Sequence, residues 1–383
     1  MNNTFDYLKI QGFRGLKSVE LSGLGKVNII VGDNNSGKTS VLEAISTFCN
    51  PLDQLQWIGT SQRRSSVGRT NLPVRRSVLE PIKWIFSQEN KLTSIDEAYQ
   101  GEIMIEAKGN IPIIKLEAKL LEIYGSEIEI PTSRKLSDDE SILEDNSISN
   151  EYIKSGLELE VIVSPTIVQT DLFSSPDLTK ESFKFWDGER IILKKRPTPY
   201  IRSANIFPSY SESEAISYLL TRIFERNEKE EVVQVLRLFD SNIVDIEILS
   251  TRMSSPTISV KHKILGISPL HIFGDGLKRA LITAITLMSI KNGILLIDEI
   301  ETSIHVSALS ELFSWLVKTC QIRGIQLFVT THSLEAVDAM LEAINDIDDI
   351  VGFKLNKEGL PPQRFSGDIL DGLRERGLDV RGK

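Results

Sequence analysis

Apolar and polar positions alternate from Phe5 to Leu21, which predicts two strands, around Tyr7–Ile10 and Ser18–Leu21, separated by Gly12-Phe13-Arg14-Gly15. A continuous apolar run, Val27 to Val31, reads as a buried strand, and an apolar-periodic helix follows from Thr39. Cys49 to Glu80 has little periodicity and reads as a loop, and Pro81 to Phe86 predicts a short helix in which Trp84 and Phe86 pack. Gly101–Ala107 and Ile114–Leu120 alternate like a hairpin with one polar face. Ser126 to Asn150, rich in Asp, Glu and Ser, reads as a mobile insertion. Strands at Leu157–Val163 and within Lys184–Lys194 then complete an antiparallel subsheet.

Ser211 with Glu214 forms a capping box, followed by Ile216, Leu219, Leu220, Ile223 and Phe224 at helical spacing. A second helix covers Lys229–Phe239, and Ile243–Leu249 returns to strand. An apolar helix, Ala280–Ile290, leads to a buried-type strand from Gly293 to Ile297. A helix with Leu309, Leu312, Leu316 and Cys320 on one side precedes the strand Gln326–Val329. A helix through Val337, Leu341 and Ile344 and a last strand near Ile350–Lys354 close the core. Strands separated by helices of this length imply a parallel sheet with both faces covered, hence an α/β fold. No sustained heptads appear, so no long coiled-coil arm is expected.

Composition narrows the partners. The formal charge of −9 and pI near 5.2 oppose a surface coated in basic residues for nucleic acid. A local basic surface stays open at Arg63, Arg64, Arg69, Arg75 and Arg76, against a plain solvated loop. Cys49 and Cys320 lie far apart and suggest no disulfide framework, which fits a reducing cytosol. The start has no apolar signal core, and the Ala280–Ile290 run is shorter than the about 20 residues that span a bilayer. A cytoplasmic chain without a membrane partner is expected.

The chemistry sits at the strand ends. Gly32, four residues, then Gly37-Lys38-Thr39 is the Walker A spacing in its strand–loop–helix setting. The loop and first helical turn, Gly32, Asn34, Asn35, Ser36, Gly37, Lys38, Thr39 and Ser40, form the expected cradle for a nucleoside triphosphate. Inward amides and the helix dipole hold the anion there. Lys38 supplies an ammonium to the β- and γ-phosphates, and Thr39 a hydroxyl for Mg²⁺. Asp298, ending an apolar strand, suits a Walker B ligand of Mg²⁺. Glu299 can orient or deprotonate the attacking water only if the chain turns there, because adjacent strand residues face opposite ways. His332, in Thr330-Thr331-His332-Ser333 after another apolar strand, can bond the γ-phosphate. His305 reads either as a dimer-facing loop residue or as a helix cap, and His262 and His271 receive no role. Gln54, Gln56 and Gln62 are loose candidates for a glutamine that senses the nucleotide.

This order resembles the ABC-type ATPases of the SMC, RecF and OLD (overcoming lysogenization defect) class. The resemblance rests on Gly12-Phe13-Arg14-Gly15-Leu16, Gly32–Thr39, Gly274–Arg279, Ile297–His305 and Thr330–Ser333. It implies an ABC-type P-loop ATPase head, formed by residues 1–50 and 250–383, with 51–249 as an inserted antiparallel β-subsheet and helical subdomain. It also implies ATP and Mg²⁺ as cofactors and places Arg14 at the nucleotide. Gly274, Asp275 and Gly276 become the signature loop, facing the γ-phosphate of a second copy, so that two chains sandwich two ATP molecules. Lys278 or Arg279 would add positive charge in trans. The loop lacks the serine of the transporter LSGGQ motif, and Val306 stands where relatives often have proline.

The Phe273-Gly274-Asp275-Gly276-Leu277 turn, the Ile297-Asp298-Glu299-Ile300-Glu301 run and the Thr330–Ser333 ending look most like compact OLD-like ATPases of bacterial defence systems. No carboxylate cluster for a two-metal Toprim nuclease follows His332. The expected function is therefore an ATP-binding and hydrolysing regulatory subunit of an abortive-infection system that controls a separate effector, a Toprim-like nuclease for example. A RecF-like DNA-binding repair ATPase is the alternative, and a transporter ATPase is the weakest reading.

Overall fold

The computed structural model describes residues 4–63, 79–88, 99–128, 151–166, 178–189, 191, 195–208, 214–249, 256–356 and 360–380. The chain starts with β1 (Thr4–Phe13), β2 (Leu16–Ser22), β3 (Val27–Gly32), α1 (Lys38–Cys49), α2 (Gln54–Gln62) and α3 (Leu79–Lys83). Next come β4 (Gln100–Asn110), β5 (Ile113–Ile128), β6 (Glu151–Pro165), β7 (Thr179–Trp186), β8 (Ser203–Ile206), α4 (Glu214–Glu225) and α5 (Lys229–Arg237). There follow β9 (Ile243–Leu249), β10 (Thr257–His262), β11 (Gly266–Pro269), α6 (Asp275–Ser289), β12 (Ile294–Ile297) and α7 (Val306–Arg323). The chain finishes with β13 (Gln326–Thr330), α8 (Leu334–Ala343), β14 (Ile350–Leu355), β15 (Gln363–Ser366) and α9 (Gly367–Glu375).

Two six-stranded sheets dominate. One has the order β15-β14-β3-β13-β12-β8, parallel from β14 to β8, with β15 antiparallel at its edge. The other, β2-β1-β4-β5-β6-β7, is wholly antiparallel. Every residue of β3, β12 and β13 is buried, as befits strands covered on both faces. The pleat splits β3 between two cores. Val27, Ile29 and Val31 face α4, α5, α6, α7 and α8, while Ile30 faces α1 and the antiparallel sheet. α1 is packed between the sheets, and all its residues except Thr39 are buried. The Gln326 side chain ties the sheets together. It accepts from Phe5 N at 2.8 Å and donates to Phe5 O at 2.9 Å and Gly25 O at 2.8 Å.

Several expectations need correction. Part of the supposed loop after Cys49 is α2, capped by Asp53 Oδ1 accepting from Leu55 N at 2.9 Å. Phe86 is buried as expected, whereas Trp84 is 58% exposed because it follows the last turn of α3. The strand sought within 184–194 lies earlier, at Thr179–Trp186, where pairing with β6 fixes it. β5 runs on through Ile128, into the stretch read as an insertion from Ser126. β10 and β11 fill a segment given no structure, forming a three-stranded sheet with β9. β14 is not the last strand, since β15 pairs beside it. Ser211, four of the five loop arginines and the acidic stretch from 129 to 150 lie outside the described residues. Among the described residues, no helix is long and apolar enough to cross a membrane.

Candidate nucleotide site

β3 ends at Gly32, and a turn through Asn35 (φ 65°) and Gly37 (φ 95°) delivers the chain into α1. Gly37 takes a φ of 95° that disfavours any residue with a Cβ, and a Cβ there would also lie 2.4 Å from Leu16 Cδ2 at the start of β2. Lys38 is 6% exposed, and its ammonium donates to Gly32 O at 2.8 Å and Asp33 O at 2.9 Å. Burial lowers its pKa, opposed by the carboxylates of Asp298, Glu299, Asp33 and Glu301. Ser36 Oγ is buried inside the loop with no protein partner, and Ser40 is buried in the first helical turn.

Asp298 lies just past β12 and is 4% exposed. Thr39 Oγ1 lies 3.0 and 3.2 Å from its two carboxylate oxygens, and Thr330 Oγ1 donates to Oδ1 at 2.6 Å. Glu299 has φ 47°, a left-handed conformation that costs a non-glycine residue roughly 1–2 kcal/mol. That turn breaks the strand's alternation and brings both carboxylates to one cavity. Its supports are specific. The Glu299 amide donates to Thr330 Oγ1 at 2.8 Å, and Thr302 Oγ1 donates to Glu299 Oε2 at 3.1 Å.

Behind them, the buried Arg279 guanidinium donates to the carbonyls of Phe207 at 3.0 Å, Asp298 at 2.8 Å and Glu299 at 3.3 Å. Arg279 was one of two residues, with Lys278, expected to add positive charge to a second chain. Its position one turn into α6 aims it inward instead, where it braces its own chain's carboxylate turn.

One cavity of about 420 Å³ is lined by Asn34, Asn35, Gly37, Lys38, Thr39, Asp298, Glu299 and His332. Residues from three separated stretches thus converge on one space. A hydroxyl and a carboxylate within bonding distance of each other are a hard-oxygen pair suited to Mg²⁺, which takes few protein ligands alongside phosphates and water. The unpartnered Ser36 hydroxyl and the loop's positive-φ glycines, Gly32 and Gly37, fit an anion cradle.

Sequence reasoning missed Glu301. Its carboxylate accepts from the His332 amide and from Thr331 Oγ1, both at 2.8 Å. Only the acidic spacing Asp298-Glu299-x-Glu301 hinted at it. With both Glu301 oxygens engaged, Glu299 and Asp298 are the carboxylates that face the cavity.

Other candidates lie elsewhere. Arg14 does not line the cavity. Its Nε lies 2.7 Å from Glu43 Oε2 and its Nη2 donates to Thr60 O at 2.6 Å, both partners in the layer under β1. The pair is buried, because Glu43 points from α1 toward the sheet and needs a counter-charge. Gly274 and Asp275 are exposed at the start of α6, away from the cavity of their own chain. A Cβ at Gly276 would lie 2.8 Å from Ser303 O, so the glycine lets α6 start against the loop after β12. Lys278 pairs with Asp275 at 3.1 Å. His305 caps α7, accepting from Ser307 N at 3.3 Å. Gln56 donates to Ser46 Oγ at 2.8 Å on α1.

The family profile described as "AAA domain, putative AbiEii toxin, Type IV TA system" matches residues 27–338, well over half the chain. The chain belongs to this AAA-domain family. It is an ATPase, and the glycine-rich loop, carboxylate turn and histidine described above lie at the strand ends of its parallel sheet. The AAA-domain chain is 25% identical to the "ATP/GTP phosphatase" of Helicobacter pylori over 389 residues, covering 95% of this chain and 96% of that protein. It is 22% identical to the DNA replication and repair protein RecF of Oenococcus oeni, covering 86% of this chain and 93% of RecF. Among solved structures, an SMC head bound to the C-winged helix domain of ScpA matches 95% of this chain at 13% identity and a TM-score of 0.48, with 98% of that chain covered.

Proposed function

We propose that this ATPase is the regulatory subunit of an abortive-infection type anti-phage system, a compact OLD-like relative that dimerises on ATP and controls a separate effector, a nuclease. The observation that carries the reading is an incomplete site. Lys38, Thr39, Asp298, Glu299 and His332 line one cavity, while Gly274 and Asp275 of the same chain are exposed and, like the half-buried Gly276, do not line it. A second copy is the group that brings such a loop to the open side. The family's own description, which names a toxin of a toxin–antitoxin system, supports a role in defence.

Mg²⁺, when bound through Thr39 and Asp298, supplies charge neutralisation on the phosphates. Lys38 and the loop amides hold the polyphosphate. Glu299 orients the attacking water and takes its proton. His332 bonds the terminal phosphate. The outward loop of the partner then closes the site and excludes bulk water.

The test is sedimentation of Glu299→Gln with saturating ATP, which should give a dimer. A variant that binds ATP and stays monomeric sinks the sandwich.

The likeness to RecF favours a second reading, a DNA-binding repair ATPase. On the antiparallel sheet, however, Lys115, Lys119, Lys180 and Lys184 each pair with a glutamate, which leaves that face nearly neutral. A steep fall in DNA affinity with salt would revive this reading.

A further inference from the structure

Glu301 lies two residues past Glu299 in the loop leaving β12, and it does not line the cavity. Its carboxylate is committed to the turn that carries His332. One oxygen accepts from the His332 amide and the other from the Thr331 hydroxyl, both at 2.8 Å. Thr331 Oγ1 in turn accepts from Ser333 N at 3.0 Å, and Ser333 Oγ caps α8 through Ala336 N at 3.0 Å. β12 and β13 are parallel neighbours, so the loop leaving one can clasp the turn leaving the other. Two bonds from one carboxylate fix both the distance and the orientation of the turn.

We propose that Glu301 is a positioning residue that sets His332 for the terminal phosphate, and that it works only through His332. The inference rests on the reading that His332 acts at that phosphate. Its loop is also the one that packs under the start of α6, where Ser303 O meets Gly276. The placement of the histidine is thereby tied to the loop that faces a second copy. A side chain that merely stabilised the fold would act whether or not the imidazole were present.

The test is a double-mutant cycle on ATP turnover by the full chain. Glutamine at 301 keeps the volume but turns an amide NH₂ toward one of two donors, so one bond is lost. Glu301→Gln should lower kcat about tenfold or more, with KM for ATP changed by less than about twofold. In a His332→Ala background, the same change should cost nothing further. Thr331→Val, which removes one of the two donors to Glu301 and the acceptor of Ser333 N but leaves the bond from the His332 amide, should show a smaller loss with the same dependence on His332, and it serves as the readout if Glu301→Gln does not fold. If His332→Ala itself leaves turnover unchanged, the histidine reading fails and takes this inference with it. If His332→Ala is slow but Glu301→Gln runs at the wild-type rate, or the losses multiply, the inference alone is overturned.

Discussion

Thr330 donates its hydroxyl to Asp298 Oδ1 at 2.6 Å, across the seam between two parallel strands. Thr330 Oγ1 also accepts from the Glu299 amide at 2.8 Å, so one threonine holds both members of the carboxylate pair. Thr330→Val keeps the shape and removes both bonds. We expect a stability loss of about 1–3 kcal/mol, read by urea denaturation, because a buried amide and a carboxylate lose a partner. Turnover should fall alongside it, with Asp298 free to swing from Thr39.

Lys38→Ala should abolish ATP binding measured by titration calorimetry. The substitution removes the one ammonium that lines the cavity among the described residues, together with its bonds to Gly32 O and Asp33 O. Retained affinity within about tenfold of wild type would show that the amide cradle suffices alone.

Glu299 carries backbone strain at φ 47°. Replacing it by alanine leaves the left-handed φ of 47° with a Cβ, and replacing it by glycine relieves that cost. Glu299→Gly should therefore be more stable than Glu299→Ala by about 1 kcal/mol, the reverse of the usual order for glycine in a fixed segment. Both should lose turnover by about 10²-fold or more. Thermal melts of the two variants decide the first point, and phosphate release the second.

Arg14 should matter to folding rather than to nucleotide affinity. Arg14→Met removes the counter-charge of the buried Glu43 carboxylate and should cost about 3–5 kcal/mol, while Arg14→Met with Glu43→Leu recovers much of that. If the single variant folds normally and loses ATP affinity instead, the arginine belongs to the site after all.

Both thiols should be silent in the native protein. Burial pushes the Cys49 thiol up to about 12 and raises that of Cys320 further, so neither carries thiolate near neutrality. Ellman's reagent should label neither until denaturant is added, and then both.

The order and type of most core elements could be read directly, because β3, β12 and β13 are apolar throughout and α7 keeps Leu309, Leu312, Leu316 and Cys320 on one buried face. Period and burial coincide there. The strand within 184–194 was misplaced, since β7 is held by its register with β6 more than by its own pattern. β10 and β11 went unread because their short hairpin leaves Ile264, Leu265 and Ile267 exposed, which blurs the alternation.

Local chemistry determined the P-loop: glycine spacing, a lysine and a hydroxyl are set by positions a few residues apart. The pairing of Thr39 with Asp298, the convergence of His332 on the same cavity and the clasp from Glu301 join residues up to hundreds of positions apart. Only the packing of α1 between the sheets and the neighbouring of β12 and β13 could decide them. The fate of the two arginines shows the same division. A sequence tells that Arg14 and Arg279 are cationic, but a charge goes where burial leaves acceptors unmet, and those acceptors, Glu43 and three backbone carbonyls, exist only once the layers have closed.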